Sequence, residues 1–451
     1  MSKAVKIKRG VDIKLVGEAE KVLVDAPWSK TVAIKPPDFD GIKPKVLVKP
    51  GEEVKAGTPL MFDKNNEKVK FTSPVSGEVV EVKRGEKRKL LQIVILADKE
   101  INYKDFQAAD PNRISADEII DKICSAGLWP TIKQRPYDVI ANPNQRPRDI
   151  FISSFNSGPM APDNDFILHG EEELFQKGLD ALAKLTDGKI HLTLNGATNP
   201  DEVFTKAKNV VHHTISGPHP AGNVGVQIHH FKPISEGSDI VWTVQPQDVL
   251  MIGRLFATGK FDAKRIISLS GPQVKGPKYF RTILGTSTKE LFETFTQGDN
   301  NRYISGNVLT GTKIDQNGYL GYYDCELTVI REGTEPEMFG WILPNFNKFS
   351  ISRALPSWLQ PNKKYDLSSI SNGEERPFVM SGEYEKVFPF DIYPVQLLKA
   401  ILIEDIELME ELGIYEVAPE DFALCETICT SKIPCQEIVR NGLDAMRKEM
   451  S

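Results

Sequence analysis

The middle of the chain alternates regularly between strand-like and helix-like segments. Apolar runs at 149–153, 190–194 and 210–215 have the pattern of buried strands, and helical periodicity covers 171–185 and 201–208. A strand–helix–strand–helix–strand order places parallel strands side by side, joined by right-handed crossovers. The sequence therefore predicts a Rossmann-like parallel sheet within an α/β domain that spans 101–261.

The first hundred residues contain short strands and turns with almost no helix signals. Glycine and proline supply tight corners in the segment 48–60 and again in 73–79. This pattern resembles the flattened barrel of biotinyl and lipoyl carrier domains, so we predict a β barrel-sandwich domain over 1–100. Lys64 lies near the tip where such carriers present a modified lysine, but the surrounding motif is missing, which favours an unmodified structural barrel.

Beyond residue 261 the pattern changes twice. Several strands and one capped helix that begins near Ser287 predict a β-grasp module over 262–332. Loops and then helical periodicity predict a largely helical C-terminal domain over 333–451. The expected fold class is a multidomain mixture of α/β and α+β units: a lipoyl-like β barrel-sandwich, a Rossmann-like parallel sheet, a β-grasp module and a helical C-terminal region.

Composition excludes several functions. With 56 Lys+Arg against 62 Asp+Glu and a formal net charge of -6, the chain lacks the basic character of nucleic-acid-binding proteins. No apolar run reaches the roughly 18 residues of a transmembrane helix, and the N-terminus has no signal-peptide pattern. Five cysteines fit a reducing compartment rather than a disulfide framework. We expect a cytoplasmic protein without a membrane span or a nucleic-acid partner.

Four short motifs carry a family resemblance. They are Arg-Gly-Glu-Lys-Arg at 84–88, Ser-Gly-Pro-His-Pro-Ala-Gly at 216–222, Ser-Gly-Pro-Gln-Val at 270–274 and Leu-Gly-Thr-Ser at 284–287. Together with the domain order they resemble the NqrA family, the A subunits of the bacterial sodium-translocating NADH:quinone oxidoreductase, over essentially the whole chain. The same architecture recurs in the flavin-carrying subunit of respiratory complex I and in the C subunit of the Rnf complex.

The resemblance implies a location and a set of partners. The chain would be a peripheral subunit on the cytoplasmic face of the bacterial inner membrane. Its partners would be the other subunits of the reductase, including integral membrane subunits, and its substrate would be a quinone. FMN, FAD and iron–sulphur centres, NADH oxidation and sodium transport would reside in those partner subunits.

The flavin loop of the complex I and Rnf relatives is degenerate here. In those relatives a glycine-rich loop lets backbone N–H groups close on the phosphates of the cofactor. The equivalent stretch 127–136 keeps a single glycine and contains Trp129, Pro130 and Pro136. Proline has no N–H to donate, and tryptophan adds bulk where a cofactor would approach. The sequence therefore predicts no tightly bound cofactor in this chain.

Three cysteines near the C-terminus form a second degenerate motif. Cys425, Cys429 and Cys435 follow the spacing C-x3-C-x5-C, whereas the Rnf relative uses C-x2-C-x2-C-x3-C-P and a four-iron cluster needs four thiolates. A fourth local cysteine is missing, and every histidine lies before residue 231, so a zinc set is not evident either. We interpret this segment as a degenerate cluster region without a metal.

Two places are candidates for quinone contact. His219, in the loop after a predicted strand, is placed where α/β sheets bind ligands, and a neutral imidazole can hydrogen-bond to a quinone oxygen. The loop 28–39 is expected to expose Trp28 and Phe39, and together with Ile34 they are candidates for contact with a quinone tail, a partner subunit or the membrane edge. The alternatives are that the histidine caps backbone groups and that the loop packs the barrel on its neighbour.

The combined interpretation is a subunit that contributes to quinone binding and complex assembly and is inactive in isolation. One alternative is a purely structural docking subunit with no quinone contact. A stand-alone flavin-dependent NADH dehydrogenase is a further alternative, and it would need the glycine loop that is missing. The basic turn 83–89 is predicted to be a solvated hairpin tip, or else a contact for anionic lipid or an acidic partner.

Overall fold

The computed structural model describes residues 2–333, 345–351, 355–371 and 373–450. Residues 334–344 of the predicted C-terminal domain therefore lie outside the described residues. In chain order the strands are β1 (Ala4–Lys6), β2 (Glu20–Asp25), β3 (Thr31–Ile34), β4 (Pro44–Val46), β5 (Glu53–Val54), β6 (Pro59–Asp63), β7 (Asn66–Thr72), β8 (Gly77–Arg84), β9 (Leu90–Ala97), β10 (Lys133–Arg135), β11 (Val139–Ile140), β12 (Asp149–Ser153), β13 (Ile190–Asn195), β14 (Val210–Ser216), β15 (Val241–Thr243), β16 (Lys264–Ser270), β17 (Lys278–Ile283), β18 (Asn301–Ser305), β19 (Thr312–Ile314) and β20 (Glu326–Arg331).

The α-helices are, in chain order, α1 (Ala116–Ala126), α2 (Asn164–Leu168), α3 (Glu172–Ala183), α4 (Glu202–Thr205), α5 (Val224–Phe231), α6 (Pro246–Thr258), α7 (Lys289–Phe295), α8 (Pro394–Leu402), α9 (Ile406–Glu411), α10 (Ala423–Ile428) and α11 (Cys435–Glu449). Helix α1 begins with the predicted capping box, in which Ser115 and Glu118 bond each other's backbone N–H groups. It ends at Gly127, whose φ of 80° is left-handed. Among the described residues, none of these helices has the length and apolar character to cross a membrane.

The N-terminal barrel-sandwich is confirmed. Two sheets of order β3-β9-β8-β5 and β4-β6-β7 enclose a core that includes Leu60, Phe71, Val79 and Ile93. The hairpin β8–β9 is the longest element of the barrel. Its two strands pair antiparallel, from the pair Gly77–Ala97 at one end to the pair Arg84–Leu90 at the other. Its tip is the basic turn singled out in the sequence.

The parallel sheet of the predicted Rossmann-like unit is also present. Its strand order is β1-β14-β13-β12-β15-β10-β11, in which the first five strands are parallel and the last two antiparallel. The chain moves outward from β12 through β13 to β14 and then returns to the opposite side of β12 with β15. The strand order thus reverses between β12 and β15, and a crevice opens at the carboxyl ends of strands at such a reversal.

The helices cover both faces of this sheet. Helices α3 and α6 lie together on one face, where a Cβ atom on Gly253 would come within 1.9 Å of the carbonyl oxygen of Leu174. Only glycine permits so close a helix contact at this point. Helix α5 and the C-terminal helices pack together in a separate hydrophobic core, which contains Phe151, Val226 and Leu398.

The fourth sheet is mixed and carries α7 on its core side. Its order is β19-β18-β20-β16-β17-β2, and its core includes Ile267, Phe292 and Leu327.

The two strands that precede the barrel do not join it. Strand β1 extends the parallel sheet beside β14, and β2 pairs with β17, so the first 25 residues connect the two later sheets. These long-range pairings were not foreseen in the sequence.

Candidate functional site

A cavity of about 310 Å³ lies at the reversal of strand order in the parallel sheet. Ser153 and Phe155 line it at the end of β12, and Thr243 and Gln245 line it at the end of β15. Residues 222–224 after β14 complete the floor. The opposite walls come from β10, from the mixed sheet and from the C-terminal region. Three parts of the chain that are distant in sequence therefore build one site.

His219 lies in this cavity and is only 5% exposed. Its backbone N–H donates to the carboxylate of Asp12 at 2.8 Å, and its Nδ1 lies 3.0 Å from Oγ of Ser157. The same hydroxyl oxygen accepts from the N–H of Gly222 at 2.7 Å, so Ser157 joins the histidine to the loop that follows β14. Burial lowers the pKa of His219 to about 4, which keeps the imidazole neutral.

Acidic side chains form the wall contributed by the mixed sheet. Glu326, at the start of β20, is 3% exposed and lines the cavity. Its Oε2 has no hydrogen-bond partner among the described residues, although Asn307 bonds the same carboxyl group. Burial raises its pKa well above the ordinary value, so the neutral acid is favoured. Asp324, two residues earlier, bonds Ser305 at 2.6 Å, and burial raises its pKa as well.

Arg135, in the cavity wall, forms ion pairs with two residues of the C-terminal region. Its guanidinium is 1% exposed and donates to Glu420 at 2.8 Å and to Asp421 at 3.2 Å. Burial alone would lower the pKa of Arg135, but Asp421, Asp138 and Glu420 together raise it. Burial raises the pKa of Glu420 to about 7, in spite of the arginine. The cavity wall thus contains a second carboxyl group, which bonds the arginine.

Lys133 supplies the remaining cation of the wall. Its ammonium group lies 3.3 Å from Asp138 and 4.6 Å from the ring centre of Tyr323. The hydroxyl of Tyr323 donates to the carbonyl oxygen of Pro130 at 2.8 Å, which joins the mixed sheet to the stretch 129–131. These contacts fix the aromatic side of the cavity.

The four quinone-contact candidates from the sequence do not lie together. His219 alone lines the cavity. Trp28 is 45% exposed on the surface, whereas Ile34 and Phe39 are 2% and 4% exposed and belong to the barrel core. The expectation that Phe39 is exposed is therefore wrong. Its ring packs on Phe71 and on Tyr322, a tyrosine from the mixed sheet that the local sequence does not reveal.

Phe39 does reach the cavity indirectly. Its ring centre lies 5.8 Å from that of Tyr323, which lines the cavity. The neighbouring carboxylate of Asp38 accepts from the backbone N–H of Tyr322 at 2.9 Å. The segment 36–39 thus supports the aromatic wall from behind, which is the packing alternative stated for this loop.

The degenerate loop at 127–136 forms a closed structure. Residues Trp129–Thr131 make a short 3₁₀ helix, and Trp129 is fully buried with its indole N–H bonded to the carbonyl oxygen of Ala141. The N–H groups of Thr131 and Ile132 bond carbonyl oxygens within the loop, at Leu128 and Trp129. Pro130 and Pro136 have no N–H. These residues do not fit the phosphate cradle that the flavin-binding relatives build here.

The three C-terminal cysteines are buried around Tyr384. The tyrosine hydroxyl donates to Sγ of Cys429 at 2.8 Å and accepts from Cys435 at 3.4 Å. Burial raises the pKa of Cys435 to about 12 and that of Cys425 well above its ordinary value. Neutral thiols are poor metal ligands. No group of three or more potential metal ligands occurs in the part of the chain that the structure describes.

The cavity residues that the sequence analysis missed are acids and an arginine. Glu326 had a detectable signal, because it begins a strand whose next four residues are buried and three of them apolar. Arg135 and Glu420 had none, since their contact joins positions 285 residues apart.

The burial of His219 predicts a pH-dependent stability. Its pKa is about 4 in the folded chain and about 6.5 when unfolded, so the unfolded state binds more protons between these values. Stability from this group is complete above pH 6.5 and falls as the pH falls, by about 2 kcal/mol at pH 5. We expect His219→Gln to lose this component in urea unfolding at pH 7.5 and 5. The control is His169→Gln, which changes an exposed histidine and should retain the pH dependence of the parent. If the His219 variant and the parent show the same pH dependence, the prediction is wrong.

Comparison with known protein families covers most of the chain. Residues 5–98 match the model described as NqrA N-terminal barrel-sandwich hybrid domain, 114–261 match NqrA second alpha/beta domain, and 266–316 match NQRA C-terminal domain. These matches fall on the barrel, the parallel sheet and the mixed sheet described above.

Curated relatives match over their full length. The chain is 38% identical over 448 residues to the A subunit of the Na(+)-translocating NADH-quinone reductase of Photorhabdus laumondii, which covers 99% of this chain and 100% of that protein. The corresponding protein of Yersinia pestis is 38% identical over 450 residues, with the same coverage of both chains. That of Vibrio alginolyticus is 34% identical over 446 residues, which covers 98% of this chain and 99% of that protein. Among solved structures, an NAD+-reducing [NiFe]-hydrogenase covers 50% of this chain and 48% of its own, with a TM-score of 0.36 and 14% identity.

Proposed function

The chain belongs to the NqrA family, the A subunits of the Na(+)-translocating NADH-quinone reductase, and from this premise we propose that its cavity binds the head group of the quinone substrate. The observation that carries the proposal is the oxygen of Glu326 that has no partner among the described residues, on a buried carboxyl that lines the cavity and whose pKa burial raises. A quinone presents two carbonyl oxygens that accept hydrogen bonds. Buried neutral acids are suitable donors to such oxygens.

The polar groups of the cavity come from several parts of the chain. Glu326 and Glu420 line its walls, and His219 lines it after the end of β14. A volume of about 310 Å³ is at the lower end of the range of small-molecule sites, which suits a single ring. The isoprenoid tail would leave through the open side of the cavity. Reduction of the ring consumes two protons, which neutral acids can supply.

The proposal assigns the remaining chemistry to partner subunits. The chain would be peripheral, on the cytoplasmic face of the bacterial inner membrane, and would be held by integral membrane subunits. FMN, FAD, iron–sulphur centres, NADH oxidation and sodium transport would all reside in those partners. The loop at 127–136 supports this division, because the N–H groups of Thr131 and Ile132 bond carbonyl oxygens within the loop.

A purified chain is therefore expected to be colourless and inactive with NADH. We predict no flavin absorbance and no NADH oxidation with an artificial electron acceptor, because Pro130 has no N–H and the N–H groups of Thr131 and Ile132 already bond carbonyl oxygens of the loop. The measurement is an absorption spectrum and a steady-state assay on the same sample. Stoichiometric flavin that survives gel filtration would overturn this assignment.

The second candidate function is a purely structural docking role in the complex. It is favoured by large apolar side chains that the C-terminal region exposes: Tyr393 at 66%, Leu402 at 54% and Ile403 at 70%. Side chains of this kind are typical of surfaces that other proteins cover. The two functions differ in one measurable property, since only the first requires this chain to bind quinone.

Calorimetric titration of the purified chain with a short-chain quinone tests the proposal. Saturable binding by a colourless sample supports a quinone-binding role. A heat signal that does not saturate, together with normal assembly of the complex, would instead support the docking function.

A further inference from the structure

The turn between β8 and β9 concentrates positive charge on an acidic protein. Residues 83–89 contain five lysines and arginines and one glutamate, while the chain as a whole carries a net charge of -6. The first hundred residues share this sign, with 21 Lys+Arg against 15 Asp+Glu, and the remainder has 35 against 47. The N-terminal part of the sequence is thus basic, and the hairpin tip contains its densest run of cations.

The structure leaves these charges free. Lys83, Arg84, Lys87, Arg88 and Lys89 are all exposed. In the described part of the chain their one side-chain hydrogen bond runs from Arg84 to a carbonyl oxygen within the turn, at 3.1 Å, so none is neutralised by a carboxylate. A cluster of cations with no internal partner repels itself, which is a cost that an external anionic surface would remove.

The backbone of the turn is also unusual. Lys87 and Arg88 have φ values of 49° and 60°, in the left-handed region that glycine or asparagine occupies more readily. Strain of this kind is found where a conformation serves a function.

We propose that this hairpin tip, residues 83–89, docks the protein on the anionic head groups of a lipid bilayer. A lipid surface fits the tip better than an acidic protein does. Protein interfaces have apolar, aromatic cores and are depleted in lysine, whereas the tip has no apolar side chain and three lysines. Clusters of four to eight cations beside a membrane are typical of attraction to anionic lipid, about 1 kcal/mol for each cation.

The binding should be purely electrostatic. With no apolar side chain to insert, the tip should bind vesicles that contain about 30 mol% phosphatidylglycerol and should ignore vesicles of phosphatidylcholine alone. About 0.5 M salt should release it, because the Debye length then falls to a few ångströms. This proposal does not depend on the quinone proposal. Vesicle binding is measured without quinone, and quinone titration is carried out without vesicles, so either proposal can fail alone.

The test compares two variants of the full chain by co-sedimentation with these vesicles. The first replaces four cations of the turn and spares Arg84, which bonds within it, and the second replaces four other exposed lysines of the first hundred residues, so the net charge is the same. The tip variant is K83Q/K87Q/R88Q/K89Q, and the control is K43Q/K49Q/K55Q/K99Q. We expect the tip variant to bind anionic vesicles at least about tenfold more weakly than the parent, and the control to lose less than about threefold.

Three results would overturn the proposal. The first is equal loss in the two variants, which would indicate a general charge effect without a docking site. The second is equal binding to neutral and anionic vesicles. The third is a tip variant that binds vesicles like the parent but fails to assemble with its partner subunits, which would make the turn a protein contact.

Discussion

Replacing Glu326 with valine is expected to weaken quinone binding to the purified chain about thirtyfold. The carboxyl of Glu326 is the buried donor with an unpartnered oxygen in the cavity wall. Its loss would leave one quinone oxygen without a hydrogen bond inside the cavity, which costs about 2 kcal/mol. Calorimetric titration with a short-chain quinone measures the effect.

The same substitution should not damage the fold. The folded chain holds a proton on Glu326 because burial raises its pKa well above the ordinary value. Above pH 4.5 the folded state therefore binds more protons than the unfolded state, and this group destabilises the fold increasingly as the pH rises. Valine removes that cost, so the variant should match or exceed the stability of the parent in urea, with an advantage that grows as the pH rises above 4.5.

Glu326→Gln is the matched control for the valine variant. Glutamine has the shape of the protonated acid and keeps an N–H donor, so binding should fall less than about threefold. Similar losses in the glutamine and valine variants would show that the side chain acts through packing. Unchanged binding in the valine variant would remove Glu326 from the site.

Replacing Arg135 with methionine should destabilise the protein by about 3–5 kcal/mol. The arginine is 1% exposed and neutralises Asp421, which is fully buried, and Glu420. Removing one partner leaves an uncompensated carboxylate in the interior, and such changes are among the most costly in proteins. Urea unfolding at neutral pH measures the loss.

An exposed arginine provides the control for this prediction. Arg146 pairs with Asp187 on the surface, where both side chains are close to half exposed or more, and Arg146→Met should cost less than about 0.5 kcal/mol. The triple variant R135M/E420Q/D421N should recover most of the stability, because no charge is then left unpaired. A cost below about 1 kcal/mol for Arg135→Met alone would mean that Asp421 takes up a proton instead.

Much of the fold was predictable because its signals are local. The capping box at Ser115 and the left-handed Gly127 bound α1 as the sequence indicated. The strand β12 has the predicted limits, 149–153, and the alternation that follows it produces the parallel sheet. These signals depend on residues a few positions apart, which a sequence displays directly.

The cavity was not predictable in the same way. Its position depends on β15 returning to the far side of β12, which is a choice of topology and has no local signal. Phe39 was placed on the surface because the residues that bury it, Tyr322 and Tyr323, lie about 280 positions away. His219 could be placed near the cavity from the sequence because its loop follows the carboxyl end of a strand. Sheets of this class bind ligands at the carboxyl ends of their strands.

Photochemical labelling tests the central claim most directly. A short-chain quinone with a photoactivatable group on its ring would be bound to the purified chain, illuminated, and located by proteolysis and mass spectrometry. We predict labelling of the cavity wall, in peptides that contain 153–157, 219–224 or 306–326, and its suppression by excess unlabelled quinone. Suppressible labelling at Trp28 and its neighbours, with none in these peptides, would contradict the assignment of the cavity as the quinone site.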